Sequence, residues 1–137
     1  MVGDPSCFNM YIRMTFIQTL TAPAPGGHYS QAVVHNGLVF LSGILPIAPD
    51  GQKLIEATIA EQTTQILANL DAILQAAGSS REQVLKVSVF IADINAWSIV
   101  NQLYAQFFGE HRPARSVVPC SVLHYGFGIE LEAIAAV

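Results

Sequence analysis

One segment of the chain, residues 58–77, has a strict helical pattern and constrains the fold more than any other feature. Thr58 and Glu61 have the T-x-x-E spacing of a capping box, and Gly78 is typical of a residue that ends a helix. Apolar or small residues recur at three- and four-residue intervals, at Ile59, Thr63, Ile66, Leu67, Leu70, Ile73, Leu74 and Ala77. A helix with one apolar face must bury that face against another element.

Strand patterns lie on both sides of this helix. Two β-branched runs flank Asn36-Gly37, the pair that best tolerates the positive φ angles of a type I′ hairpin turn. Alternating or β-branched residues predict three further strands, at Val84 to Ala92, near Ser116 to Val122 and at Ile129 to Val137.

A second amphipathic helix follows the Val84 to Ala92 strand. Asp93 or Asn95 can cap its first turn, and Gly109 is expected to end it. The order of elements is therefore ββαβαββ. This order predicts an α+β fold with a mixed sheet and two helices packed on one face.

The last strand indicates what the other sheet face carries. Ile129 and Leu131 point one way and Glu130 and Glu132 the other, because side chains alternate along a strand. If the helices cover the Ile/Leu face, the two carboxylates lie on the open face. Apolar residues make up 52% of the chain and charged residues only 12%, so we expect this open face to mediate self-association.

Length and charge limit the remaining possibilities. The 137 residues fit one domain over 15–137, and residues 1–14 are interpreted as a poorly ordered extension. No apolar run is long enough to cross a membrane, and the net charge of −4 with scattered Lys and Arg disfavours nucleic acid as a partner. Cys7 and Cys120 cannot form a disulfide framework, so we expect a cytoplasmic protein.

Several common chemistries lack their motifs. Gly126-Phe-Gly128 has no third glycine and opens a strand, so it is not a dinucleotide fingerprint, and no phosphate loop is present. The histidines have no metal-ligand spacing, and no metal or cofactor is expected; they are His28, His35, His111 and His124.

Arg115 and Glu130 are the candidate catalytic pair. We expect them on neighbouring strands and on the same face, where the guanidinium could bind a carboxylate bidentately and Glu130 could deprotonate a water. The alternative is a structural ion pair across the strands. From spacing alone this alternative is favoured, since structural ion pairs are commoner than active sites.

Five segments favour an active site over the structural ion pair. They are APGGHYSQAV at 24–33, FLSG at 40–43, VNQLYAQFF at 100–108, RPARS at 112–116 and IELEAIA at 129–135. In this order they resemble the RidA (YjgF) family of reactive intermediate deaminases across residues 15–137.

The resemblance implies a chorismate-mutase-like homotrimer with active sites between neighbouring subunits. It also implies that 2-imino acids, such as 2-iminobutanoate and 2-iminopropanoate, are hydrolysed to 2-keto acids and ammonia without metal or cofactor. Arg115 would bind the substrate carboxylate and Glu130 would position the attacking water. The resemblance further implies that Tyr29 lines the pocket, that Gly43 lets the backbone approach the substrate, that Val117 contacts the substrate through its backbone carbonyl, and that Asn101 matches a family asparagine.

The chain departs from the family pattern at His28, Ile44, Val117 and in the loop 124–128. Tyr125 and Phe127 of this loop are expected at the pocket mouth or the subunit interface. Two other functions remain open: a non-catalytic trimer that binds small carboxylates, and a ribonuclease or translation inhibitor. An acidic chain without a basic stripe is poorly suited to RNA, so the ribonuclease ranks last.

Overall fold

Six strands and two helices form the structure, a computed structural model that describes residues 14–137. The interpretation of residues 1–14 as an extension falls outside the described residues, except for Met14. The α+β class is confirmed, and a short additional strand precedes the expected order. The elements are β1 (Thr15–Ile17), β2 (Ala32–His35), β3 (Leu38–Ile44), α1 (Ile59–Ala76), β4 (Val84–Ile91), α2 (Trp97–Phe108), β5 (Ala114–Pro119) and β6 (Ile129–Ala136).

All six strands belong to one mixed sheet in the order β1-β2-β3-β6-β4-β5. Neighbouring strands are antiparallel except for β4 and β5, which are parallel. The strands that carry Arg115 and Glu130 are therefore separated by β4, and the expectation that they are neighbours is wrong. Strand β5 also begins at Ala114, before the expected start at Ser116.

The hairpin turn and the cap of α1 are as expected, whereas the side-chain cap expected for α2 lies on the short turn before it. Asn36 and Gly37 have φ angles of 51° and 76°, the positive values that a type I′ hairpin requires. The Thr58 hydroxyl accepts a hydrogen bond of 3.2 Å from the Glu61 amide at the start of α1. Asp93 caps a short 3₁₀ turn that leads into α2, by accepting a hydrogen bond from the Asn95 amide.

Both helices cover the same face of the sheet. Along β6, Ile129 and Leu131 are each 1% exposed, while Glu130 is half-buried and Glu132 exposed on the other face. The predicted alternation is therefore confirmed. From α2, Val100, Tyr104 and Phe108 point into the same core at four-residue spacing.

Large apolar side chains remain on the face that no helix covers. The register pairs Phe16 with Val33 and Val33 with Phe40, so these residues lie on one face of the sheet. Phe16, Phe40 and Val118 are 64%, 44% and 41% exposed. Within residues 14–137 no helix has the length and hydropathy to cross a bilayer.

Candidate active site

Arg115 leaves the sheet on the side that the helices cover. It pairs in register with Val87, which is fully buried beneath the helices. Its Nη1 donates a 2.9 Å hydrogen bond to Oδ1 of Asn101, and its guanidinium carbon lies 4.7 Å from the ring centroid of Tyr104. We call these three residues the arginine cluster. Helix α2 supplies two of its members, because residues three apart lie on one helix face.

Tyr104 is a member of this cluster that sequence reasoning did not single out. It is 7% exposed, and its hydroxyl has no hydrogen-bond partner within residues 14–137. Burial raises the pKa of Tyr104 to about 12, and the Arg115 charge opposes that rise. The cluster borders a cavity of about 420 Å³. The sequence signal for Tyr104 is its three-residue spacing from Asn101, but Tyr104 also fits the apolar pattern of the helix and so reads as a core residue.

Glu130 lies on the open face of the sheet, opposite Phe90 in register. A Cβ at Gly43 would overlap the Glu130 carboxylate, so glycine is what lets these two strands bring the carboxylate so close to the backbone. Burial, and secondly the charge of Glu132, raise the pKa of Glu130, while His124 opposes the rise. A raised pKa brings a carboxylate closer to the strength that a general base needs at neutral pH.

A cleft of about 380 Å³ adjoins Gly43 at this end of the sheet. Tyr29 lines it and is 49% exposed, and its hydroxyl oxygen accepts a 3.2 Å hydrogen bond from the Gly26 amide. The structure thus places Tyr29 and Gly43 at one cleft, with Glu130 against Gly43. We call Glu130, Gly43 and Tyr29 the glutamate cluster.

Residues of the loop 124–128, where the chain departs from the family pattern, form the rim of this cleft. The His124 and Tyr125 rings stack with centroids 3.7 Å apart, and the Lys53 ammonium lies 4.9 Å from the Tyr125 ring centroid. Tyr125 has a φ of 58°, a left-handed conformation that a tyrosine adopts at an energetic cost. Within residues 14–137 no group of three or more His, Cys, Asp or Glu side chains is placed to share a metal ion.

Phe127 does not belong to this rim. It is 0% exposed and packs inside the chain, and its ring meets that of Tyr125 at 76° with centroids 5.8 Å apart. The expectation that both aromatic residues lie at the mouth or the interface is wrong for Phe127. Phe127 and Ile129 are two residues apart and both point inward. Tyr125 lies a further two residues back and leaves this alternation because its backbone is left-handed.

Arg115 and Glu130 do not meet within one chain. Val87 and Phe90, their register partners on β4, point to opposite faces of the sheet. No ion pair joins Arg115 and Glu130 in the part of the chain that the structure describes, and Arg81 with Asp71 forms the ion pair found there. Both the expected shared face and the structural ion pair across the strands are therefore wrong. Val117 lies on the arginine side, two residues along β5.

Comparison with known proteins decides the family. The family profile described as Endoribonuclease L-PSP matches residues 19–137. The chain belongs to this family, which is also called RidA or YjgF. Protein HMF1 of Saccharomyces cerevisiae is 42% identical over 127 residues, covering 93% of this chain and 98% of that protein.

Two other members of the RidA family have a stated activity or a bound ligand. The 2-iminobutanoate/2-iminopropanoate deaminase of Bos taurus is 41% identical over 119 residues, covering 87% of each protein. A crystal structure of Escherichia coli TdcF with bound serine superposes with a TM-score of 0.85 at 38% identity, covering 90% of this chain and 98% of that one.

Proposed function

We propose that this protein hydrolyses reactive 2-imino acids, such as 2-iminobutanoate and 2-iminopropanoate, to 2-keto acids and ammonia. The observation that carries the proposal is the division of the site. Arg115 is held by Asn101 and Tyr104 without a carboxylate partner among residues 14–137, and Glu130 has a raised pKa on the opposite face. The arginine cluster supplies the positive charge and the glutamate cluster supplies the carboxylate.

A homotrimer in which neighbouring copies share each site would join the two clusters. Arg115 of one copy would then face Glu130, Gly43 and Tyr29 of the next. Apolar residues on the open sheet face support such assembly, since exposed apolar area of this kind is typical of subunit contacts. Strand β5 forms the sheet edge within residues 14–137, so one side of its backbone has no neighbouring strand there, and the carbonyl of Val117 would contact the substrate from this edge.

The proposed chemistry requires binding, orientation and one base. Arg115 binds the substrate carboxylate, and water attacks the carbon of the imine, whose nitrogen is protonated. Glu130 takes the proton that the water loses and returns it to nitrogen. Ammonia leaves as the C–N bond breaks and the C=O bond forms, while the hydroxyl proton passes to solvent. Burial within its own chain raises the pKa of Glu130, which suits a group that must both accept and give up a proton, and Arg115 of a neighbouring copy would oppose that rise.

The relative crystallised with serine favours a second candidate, a protein that binds small carboxylates without turnover. Arg115 alone would suffice for that function. The enzyme also needs Glu130, so turnover measured separately from binding distinguishes the two. With a net charge of −4 the chain offers little support for RNA binding.

The test is a coupled assay in which an amino-acid oxidase generates imines and release of the 2-keto acid is followed. Wild type should accelerate release, and Arg115→Ala should lose both turnover and binding of 2-ketobutanoate. Arg115→Lys should restore little, because an ammonium cannot make the planar two-pronged contact. All three should melt at similar temperatures. A folded Arg115→Ala protein with wild-type turnover would refute the proposal.

A further inference from the structure

We propose that Tyr104 is the positioning residue for Arg115, acting through the face of its ring rather than through its hydroxyl. The inference rests on the proposed function, in which Arg115 binds the substrate carboxylate. Its basis is the position of the ring centroid, 4.7 Å from the guanidinium carbon, in a side chain that is 7% exposed.

A hydrogen bond alone would leave the guanidinium poorly fixed. The contact from Nη1 to Asn101 holds one end of the group, which can still turn about that contact. A cation beside an aromatic ring is attracted to the electron-rich face, and a planar guanidinium stacks on it. Together the two contacts fix both the position and the plane of Arg115. Its other N–H groups can then bind a carboxylate in a defined orientation.

The Tyr104 ring is itself held in place. It packs against Phe108 with ring centroids 4.6 Å apart, and both belong to the buried side of α2. The hydroxyl is buried and has no partner in the described chain, so it contributes no contact that orients Arg115. Burial of a hydroxyl without a partner is unfavourable, which indicates that the ring is the useful part of this side chain.

A second arginine of the same chain shows what a purely structural stack looks like. Arg81 lies 4.0 Å from the Phe107 ring centroid, and its Nη1 and Nη2 donate to the Phe107 carbonyl and to Asp71. Arg81 thus already has a carboxylate partner. Arg115 has the same kind of aromatic support from the same helix, without a carboxylate partner in residues 14–137. The comparison marks Arg115 as an arginine that is oriented for a ligand.

The experiment measures binding of 2-ketobutanoate by calorimetry and thermal unfolding on a matched set of variants. Tyr104→Leu removes the ring, and affinity should fall by about tenfold. Tyr104→Phe keeps the ring and should bind within about twofold of wild type. Phe107→Leu removes the aromatic support of Arg81, so it should lower the melting temperature and leave affinity unchanged. Tyr104→Met, which fills the space with an unbranched side chain, replaces the Leu variant if that variant does not fold.

The outcomes separate this inference from the function on which it rests. Failure of wild type to bind 2-ketobutanoate, or equal binding by Arg115→Ala, would overturn the proposed function and this inference with it. If Arg115 is required but Tyr104→Leu binds like wild type, only the positioning role is wrong. Loss of affinity in Tyr104→Phe as large as in Tyr104→Leu would likewise overturn the assignment to the ring. Reduced affinity in Phe107→Leu would show that binding merely follows stability.

Discussion

Glu130 combines two properties that are separable by experiment: it is a candidate base and it is a partly buried charge. Glu130→Gln keeps the size of the side chain but cannot accept a proton, so turnover should fall by about a hundredfold or more. Binding of 2-ketobutanoate should survive, since Arg115 is untouched. A coupled assay and calorimetry on one preparation test both statements. Wild-type turnover in this variant would remove Glu130 from the mechanism.

The raised pKa of Glu130 gives this variant a pH signature. Wild-type turnover should decline as pH falls through the raised pKa, because the carboxylate becomes protonated. The folded chain also binds this proton more tightly than the unfolded chain, so wild type should lose stability relative to Glu130→Gln as pH rises above the ordinary value of 4.5. Melting temperatures at acid and neutral pH provide the measurement. A wild type that gains stability over the variant with rising pH would contradict the raised pKa and would indicate that a cation, such as Arg115 of a neighbouring copy, dominates at Glu130.

Among the elements of the fold, the loop before β6 carries one exposed aromatic ring, Tyr125, and one buried ring, Phe127. Tyr125 has a left-handed backbone and lines the cleft, so Tyr125→Gly should remove the ring while relieving backbone strain of about 1 kcal/mol. The loss of chain entropy with glycine offsets that gain. Melting should therefore change little, while the ranking of imino acids by side-chain size should change. An unchanged ranking would show that the rim does not select substrates.

Phe127→Ala is the matched control for this loop. Its ring is 0% exposed, and truncation should lower the free energy of unfolding by about 3–5 kcal/mol, independently of any effect on substrate ranking. Changing both aromatic residues together would mix these two effects, so they must be tested singly.

Local signals predicted the elements well, because each rests on a few adjacent residues. Asn36-Gly37, the Thr58 cap and the alternation along β6 all identified their structures correctly. The site was harder to predict. Alternation tells which residues of one strand share a face, but it does not give the order of strands or their relative register. Arg115 and Glu130 were therefore placed together, although β4 lies between their strands.

For the whole molecule, the open sheet face predicts the state of assembly. A single chain would leave Phe16, Phe40 and Val118 exposed to water over 64%, 44% and 41% of their surface, which is unfavourable. Sedimentation at micromolar concentration should show a species of three times the 14.7 kDa chain mass. A species of one chain mass alone would rule out the shared site. Phe40→Lys places a charge on this face and should weaken the assembly, whereas Leu20→Lys, at a side chain that is 92% exposed, is the matched control.

Because the sheet separates Arg115 from Glu130, mixtures of two inactive variants should behave differently from either variant alone. Arg115→Ala and Glu130→Gln should each be inactive, yet when they are refolded together about one quarter of the shared sites would receive an intact residue from each copy. Activity should therefore reappear on mixing, and Arg115→Ala mixed with the double variant should stay inactive. Mixed assemblies without activity would show that each chain builds its own site. At the level of inheritance, two alleles that each encode an inactive protein would together restore part of the activity.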